Sequence, residues 1–405
     1  MAGGKYLQQK PQKGGGGKSA PKKEMPRRNT ANYDSFNDYE GYDLPQTSKK
    51  GGSKKGLLIA LIVVLVLIIG LAIGGIIYYN TVLSMMSRPD DVTVETLSED
   101  EINELLGLNV EVSEEVTTSP EETWPEIKSD KNITNIMLVG QAAREGEDYR
   151  LSDSNILVSI NREEKTVTLT SILRDLRVRI PAYEGHQGGS NRINVVYHLG
   201  SYYTGNKIDS MKMMEMCIEQ NFGVKVDHTI EIDFNIFCEV IDILGGVEVE
   251  LTEEEWSFLL VNYYYHEPIM ELVPGKNTMD GYSALCYARL RKVGNGDWDR
   301  TARQRFIITQ LVNKLKDMSM MEIHAVFKQV LPNIFTDMTN EEITNYALEF
   351  IPMIAGLKIQ SQTIPFDNTW WSTNIGDNDI PNYVIDADLS KNGKILRESI
   401  GYVEE

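Results

Sequence analysis

Residues 56–79 read GLLIALIVVLVLIIGLAIGGIIYY, without one charged side chain. About 20 apolar residues are what a helix needs to cross roughly 30 Å of hydrocarbon. Lys49, Lys50, Lys54 and Lys55 precede the run, and Tyr78 and Tyr79 close it. Cationic residues on one side and an aromatic belt on the other predict a single transmembrane helix with a cytoplasmic N-terminus. A cleaved signal peptide has a shorter apolar core and a brief leader. Residues 1–55 are instead long, basic and rich in Gly, Lys, Gln, Pro and Ser. They cannot bury enough apolar surface to offset ordering entropy, so a disordered cytoplasmic tail is predicted. Everything after residue 79 is expected outside the cell membrane.

Residues 80–130 carry many acids, including Asp90, Asp91, Glu99, Glu101, Glu114 and Glu115, and read as an extracytoplasmic stalk. Ser98 and Glu101 form a capping-box pattern for one short helix within it. A folded domain is predicted over 131–395, with a tail over 396–405. Residues 135–140, 154–161 and 165–172 are apolar or β-branched runs of strand length. Helical patterns cover 206–222 and 234–244, the second stopped by Gly245-Gly246. VEVEL at 247–251 reads as another strand, and Thr252 with Glu255 opens the next helix. Further helices are predicted from Asp280 to Tyr287, from Arg300 to Asp317, and from the Thr339–Glu342 box toward Gly356. IQSQTIPF and YVIDADL are strand-like. Interleaved strands and helices predict a layered α/β/α domain around a central mixed sheet. Cys217, Cys238 and Cys286 sit in apolar patterns without a CxxC or a paired His, and read as buried free thiols.

The formal net charge is −19, yet Arg289, Arg291, Arg300, Arg303 and Arg305 crowd one short stretch, YARLRKVGNGDWDRTARQRF. Asp299 is a candidate cap for the helix expected at Arg300. Arg300, Arg303 and Gln304 stand at i, i+3 and i+4 and can share one face. Arg289 and Arg291 point the same way if the chain is extended there. Several converging guanidinium forks suit a pyrophosphate. The alternative is that these arginines pair with Asp297, Asp299 and the acidic surface. An acidic domain outside the membrane argues against nucleic acid as the partner. Arg150 and Asp153 flank the start of one apolar strand, Arg174 and Asp175 the end of the next, and Arg192 follows a glycine-rich loop. Charged groups at strand ends in α/β sheets are where ligand sites form.

In order, NIMLVG, RLSDSNILVSIN, TLTSILRDLRVRIP, NRINVVYHLG, VDHTIEIDFNIFCEVIDILGGVEVEL, VPGKNTMDGYSALCYARLRK and GDWDRTARQ resemble the motif series of the LytR-CpsA-Psr family. The resemblance covers about 132–318 well and extends loosely to about 390. It implies a membrane-anchored transferase that moves a glycopolymer, such as teichoic acid or capsule, from an undecaprenyl pyrophosphate carrier to peptidoglycan. It further implies that Arg150, Arg174, Arg192, Arg289, Arg291, Arg300, Arg303 and Gln304 bind the substrate pyrophosphate. Asp153 is implied as the ligand of a bound Mg²⁺. Asp153, Arg174, Arg289, Arg291 and Asp297 are implied as the reacting centre, Asp297 orienting the attacking hydroxyl. The Met-rich 211–222 segment either lines a lipid slot or packs in the core. Two departures stand out. Ala142 occupies the position where the family carries a metal-binding Asp, so that either Asp153 binds Mg²⁺ alone and more weakly, or Glu147 or Asp148 substitutes, or the protein does not use the metal. Leu173 and Leu176 replace a Pro and a Thr around Arg174. The rival implication is a non-catalytic binder of polyprenyl pyrophosphate or wall polymer.

Overall fold

The structure is a computed structural model that describes residues 124–141, 151–264, 269–331, 334–375 and 382–403. All of them lie in the compact unit Val66–Glu405. The apolar run at 56–79, the basic tail and the Ser98–Glu101 box lie outside the described residues. Among those described, no helix is long and apolar enough to cross a membrane.

Strands β1 (Ile133–Gln141), β2 (Ser152–Asn161) and β3 (Thr166–Ile172) form where alternating and β-branched residues demand a pleated, buried surface. With β6 (His228–Ile232), β9 (Phe335–Thr336) and β10 (Lys358–Ile364) they make a six-stranded sheet ordered β10-β3-β2-β1-β6-β9. β1, β2 and β3 are mutually antiparallel neighbours, while β6 runs parallel to β1 and β10 parallel to β3. The sheet is therefore mixed, as expected. Its register places the ends of β1, β3, β6 and β10 and the start of β2 at one edge.

Alternation sends successive side chains to opposite faces. Met137, Val139 and Leu157 face α1 (Ile193–Thr204), α2 (Lys207–Phe222) and α9 (Leu389–Ile400) in the larger core. Ile156, Val158 and Leu169 face Ile308 of α6 (Asp297–Asp317) and the 3₁₀ turn Ile351–Gly356. This is the predicted α/β/α layering. A separate cluster joins α3 (Phe234–Ile243), the hairpin β7 (Val247–Leu251) and β8 (Gly275–Met279), α4 (Glu253–Leu259) and α5 (Gly281–Ala288) to Ile307 of α6. Asn206, Thr252 and Thr339 cap α2, α4 and α8 (Asn340–Phe350) as their sequence positions predict.

Several elements differ from the sequence reading. The hairpin β4 (Arg177–Ile180) and β5 (Gly189–Arg192) stands in part of the segment read as turns. Helix α1 follows directly from Arg192, α7 spans Met320–Val330, and a ribbon pairs β11 (Trp370–Asn374) with β12 (Tyr383–Ala387). Helix α9 crosses the expected boundary at 395, and Leu396, Ile400 and Tyr402 are buried in the larger core. The tail predicted from 396 is thus structural up to that point. At the other end, Lys128 pairs with Gly223 and Lys225 through backbone hydrogen bonds of 3.0 and 2.9 Å, so the folded part begins before 131. Met211, Met213 and Met214 are fully buried beside Tyr197 and Phe222, which makes them core packing. Cys217, Cys238 and Cys286 are free thiols.

Candidate active site

The carboxyl ends of parallel strands are the edge at which α/β sheets assemble ligand sites. Here Asp153 lies near the start of β2, and Arg174-Asp175 form the turn after β3. Leu173 and Leu176 are fully buried. The Leu173 N–H donates to Ile364 (3.0 Å), and that of Leu176 to Leu173 (2.9 Å). The two departures from the family pattern thus hold the turn by packing and backbone bonds. Gly140 faces Ser154 so closely that an added Cβ would stand 2.8 Å from the serine Cβ. A side chain at 140 would push β1 away from the strand that carries Asp153.

Arg174 Nη1 donates to Asp153 Oδ1 at 2.8 Å. Arg291 Nη2 reaches the same oxygen at 3.5 Å, and its Nε stands 3.5 Å from Asp297 Oδ1. Arg300 Nε lies 2.7 Å from Asp297 Oδ1, and its Nη2 donates to Asp297 Oδ2 at 3.1 Å. Arg174 Nε is 3.9 Å from Asp297 and 3.5 Å from Asp175. Arg192 Nε is 3.5 Å from Asp175 Oδ1, while its Nη2 bonds Asn382 and, at 2.9 Å, the Tyr383 carbonyl. Gln304 Oε1 accepts from Ser154 at 3.0 Å, next to Asp153. Asp153, Arg174, Arg192, Arg291, Asp297, Arg300 and Gln304, sequence-distant candidates, thereby meet. Asp175 links them, although sequence reasoning gave it no role beyond its place at a strand end.

Electrostatics follow from this crowding. Burial alone would raise the Asp153 carboxyl, but the Arg174 hydrogen bond and the charges of Arg174, Arg300 and Arg291 hold it below its ordinary value. Asp153 is therefore held toward its ionised form and is a poor base. Burial lowers the Arg291 guanidinium, and the charges of Arg300 and Arg174 lower it further. Arg174 Nε, Arg192 Nε, Arg300 Nε and Asp297 Oδ1 are buried without a directed hydrogen bond. Buried polar atoms of this kind are costly; the three arginine Nε donors suit acceptor oxygens of a ligand, and Asp297 Oδ1 suits a donor such as a hydroxyl.

Three expectations are corrected. Helix α6 begins at Asp297 behind Gly296, so Asp299 does not cap it. Asp299 Oδ2 instead accepts from the Asn295 N–H at 2.7 Å and crowds Gly294, whose φ is +78. Arg303 does not face the cluster. It is buried against Glu255 at 2.9 Å, and it donates to the carbonyls of Leu290 (3.0 Å) and Val293 (3.2 Å). Its donors fasten the loop after α5 to α6, which is a structural task. Arg289 is the C-cap of α5 in a helical conformation, not an extended one, and lies over the Phe234 ring at 4.8 Å. None of the described contacts joins it to Asp153 or Asp297. Arg150, Ala142, Glu147 and Asp148 lie outside the described residues.

Among the described residues no group of three His, Cys, Asp or Glu side chains could hold a metal. Asp153 and Asp297 supply carboxylates already shared with guanidinium groups. Mg²⁺ is commonly held by one or two carboxylates with phosphate oxygens and water. This donor set fits the ion in company with a phosphate-bearing ligand.

A family model for LytR_cpsA_psr matches residues 97–385. The chain belongs to the LytR_cpsA_psr family. Relatives of this LytR_cpsA_psr chain include the Enterococcus faecalis polyisoprenyl-teichoic acid–peptidoglycan teichoic acid transferase TagU. That protein is 25% identical over 261 residues, which cover 61% of this chain and 78% of the relative. The corresponding Bacillus subtilis transferase TagT is 30% identical over 193 residues, covering 47% of this chain and 55% of the relative. This chain thus spans about half the length of TagT. Among solved structures, TagT bound to LIIa-WTA superposes with a TM-score of 0.52 at 24% identity, over 71% of this chain and 98% of that one. At that identity the likeness concerns the fold.

Proposed function

We propose that this protein is a membrane-anchored transferase that moves a glycopolymer from a polyprenyl pyrophosphate carrier to peptidoglycan, outside the cell membrane. The observation that carries the reading is the convergence of Arg174, Arg291 and Arg300 on Asp153 and Asp297 at the sheet's carboxyl edge, with Arg192 joined to them through Asp175. The apolar run at 56–79 supports the anchor. Relatives named as teichoic acid–peptidoglycan transferases support the reaction class.

In this reading a peptidoglycan sugar hydroxyl attacks the phosphorus that bears the glycopolymer. A new P–O bond forms as the hydroxyl gives up its proton to solvent, the bridging P–O bond of the pyrophosphate breaks, and the polyprenyl phosphate leaves with the electron pair. Phosphoryl transfer of this kind needs positioning and neutralisation of spread negative charge. Arg174, Arg291 and Arg300 supply that charge around the diphosphate, with Arg192 at the rim. Asp297 Oδ1 orients the hydroxyl. Gln304 and Ser154 position the strand start that carries Asp153. Asp153 would hold Mg²⁺, which when bound supplies further positive charge to the diphosphate oxygens.

The test incubates the full chain, in detergent, with a polyprenyl pyrophosphate glycan and a peptidoglycan fragment. Release of polyprenyl phosphate with Mg²⁺ present is the expected result. Tight binding without turnover would instead make the protein a non-catalytic binder, the reading that Ala142 favours.

A further inference from the structure

Tryptophan is rarely left in water without a use, because its indole offers a large apolar face. Of the chain's tryptophans, Trp370 is 40% exposed and stands on the β11–β12 ribbon. Its ring meets that of Trp298 at a centroid distance of 5.6 Å and an inclination of 40°. Trp298 is the residue after Asp297 in α6. The two indoles therefore form a shallow, inclined pair at the rim of the arginine cluster.

The ribbon is held there by contacts independent of Trp370. Arg177 donates to both carboxylate oxygens of Asp386, at 2.6 and 2.9 Å. The Ile385 N–H donates to the Asp175 carbonyl at 2.9 Å, and Arg192 binds the Tyr383 carbonyl at 2.9 Å. Asp175 and Arg192 belong to the cluster itself. The same short segments thus fix the catalytic edge and the aromatic pair relative to each other.

Charge narrows the occupant. The described residues of the ribbon and its flanks, 366–375 and 382–388, contain Asp367, Asp386 and Asp388 and no Lys or Arg. A polyanion, whether a phosphate-rich polymer or an anionic bilayer, is repelled by such a segment. An uncharged sugar ring is not. Its axial C–H face packs on an indole. We infer that the Trp298–Trp370 pair is a stacking platform for the hexosamine backbone of the acceptor glycan, seating its hydroxyl toward Asp297. This rests on the transferase reading above and adds the acceptor subsite to it.

The experiment uses the full chain in detergent and two separate ligands, chitotetraose as the glycan probe and a polyprenyl pyrophosphate. Titration followed by indole fluorescence and calorimetry should show chitotetraose binding by the unaltered protein. Trp370→Ala should weaken it at least about tenfold, the scale of one lost base- or sugar-type stacking contact. Trp370→Tyr should retain most of it. Trp371→Ala, altering the opposite ribbon face, should change it by less than about twofold. Pyrophosphate-lipid affinity should be unchanged in all three. The proposal is overturned if the unaltered protein binds no chitotetraose, if Trp370→Ala binds it undiminished, or if Trp371→Ala loses as much. It is also overturned if Trp370→Ala instead loses binding to vesicles of phosphatidylglycerol. Failure of the unaltered protein to bind the pyrophosphate lipid would overturn the transferase reading, a result read independently of the glycan titration.

Discussion

Arg300 Nε and Asp297 Oδ1 lie 2.7 Å apart, one turn from each other on α6, yet neither atom makes a directed hydrogen bond. The arginine is 2% exposed. A guanidinium so placed has unspent donor capacity in a site of low dielectric, where a diphosphate oxygen gains most from it. Arg300→Ala should weaken polyprenyl pyrophosphate binding at least about tenfold, since hydrogen bonds to charged groups contribute about 1.5–3 kcal/mol. Arg300→Lys should recover part of that loss. Calorimetric titration of both variants measures it, and an unchanged affinity in Arg300→Ala would remove the arginine from the binding site.

Arg303, three residues on, should behave differently. Its charge is buried with Glu255, and its removal leaves that carboxylate unpaired. Breaking a buried pair costs about 3–5 kcal/mol. Arg303→Ala should therefore lower the melting temperature by roughly 10 °C. Arg289→Ala should shift neither melting temperature nor pyrophosphate affinity by much, because its described side-chain contact is a stack on the half-buried Phe234 ring. Thermal unfolding and lipid titration of the two variants together separate scaffold from site.

The pH dependence of stability should slope downward toward neutrality. Burial, followed by the charge of Asp337, pushes the Glu215 carboxyl up to about 7 from an ordinary value of 4.5. Between those values the folded chain holds a proton that the unfolded chain releases, so stability falls as pH rises across the window. Burial opposes the charged form of His228, but Asp337 and Glu342 outweigh it and raise the imidazole above 6.5. A raised His loses its stabilising effect as pH climbs through the folded value, which adds to the same slope. Asp153, held low, contributes above its ordinary 3.8 and weakens only in stronger acid. Burial lowers His186 and His198, which works against this slope. From pH 5.5 to pH 8 the unaltered protein should therefore lose more melting temperature than Glu215→Gln, and equal losses in the two would contradict the assignment.

Ala142→Asp supplies the carboxylate that the family pattern carries at this position. It should tighten Mg²⁺ binding in the presence of inorganic pyrophosphate, measured by titration of the ion. Unchanged affinity would mean that position 142 lies away from the metal.

The legible parts of this fold were those in which one residue type does one job. Apolar and β-branched runs became β1 to β3, and the Thr252–Glu255 and Thr339–Glu342 spacings became caps. The sheet-end position of Asp153 and Arg174 followed from where their apolar strands begin and end. The ribbon was half seen: YVIDADL read as a strand, but its partner TWWSTN did not, because polar, exposed strands lack alternation. The role of Arg303 was hidden because i and i+3 residues stand about 60° apart on a helix, enough to turn one to the site and the other to Glu255. Arg289 depended on whether the chain after α5 was extended or helical, which only the C-cap geometry decides.

The resting cluster has a consequence for discrimination. Four guanidinium groups face three carboxylates, so the pocket carries little surplus charge before any substrate arrives. A monoanion that displaces Asp153 or Asp297 merely exchanges one negative charge for another. A diphosphate brings more charge than either carboxylate it supplants, and its bridging geometry spans two guanidinium groups at once. In the proposed site the aspartates would thus compete with an anion for the guanidinium groups, favouring ligands of higher valence over monoanions.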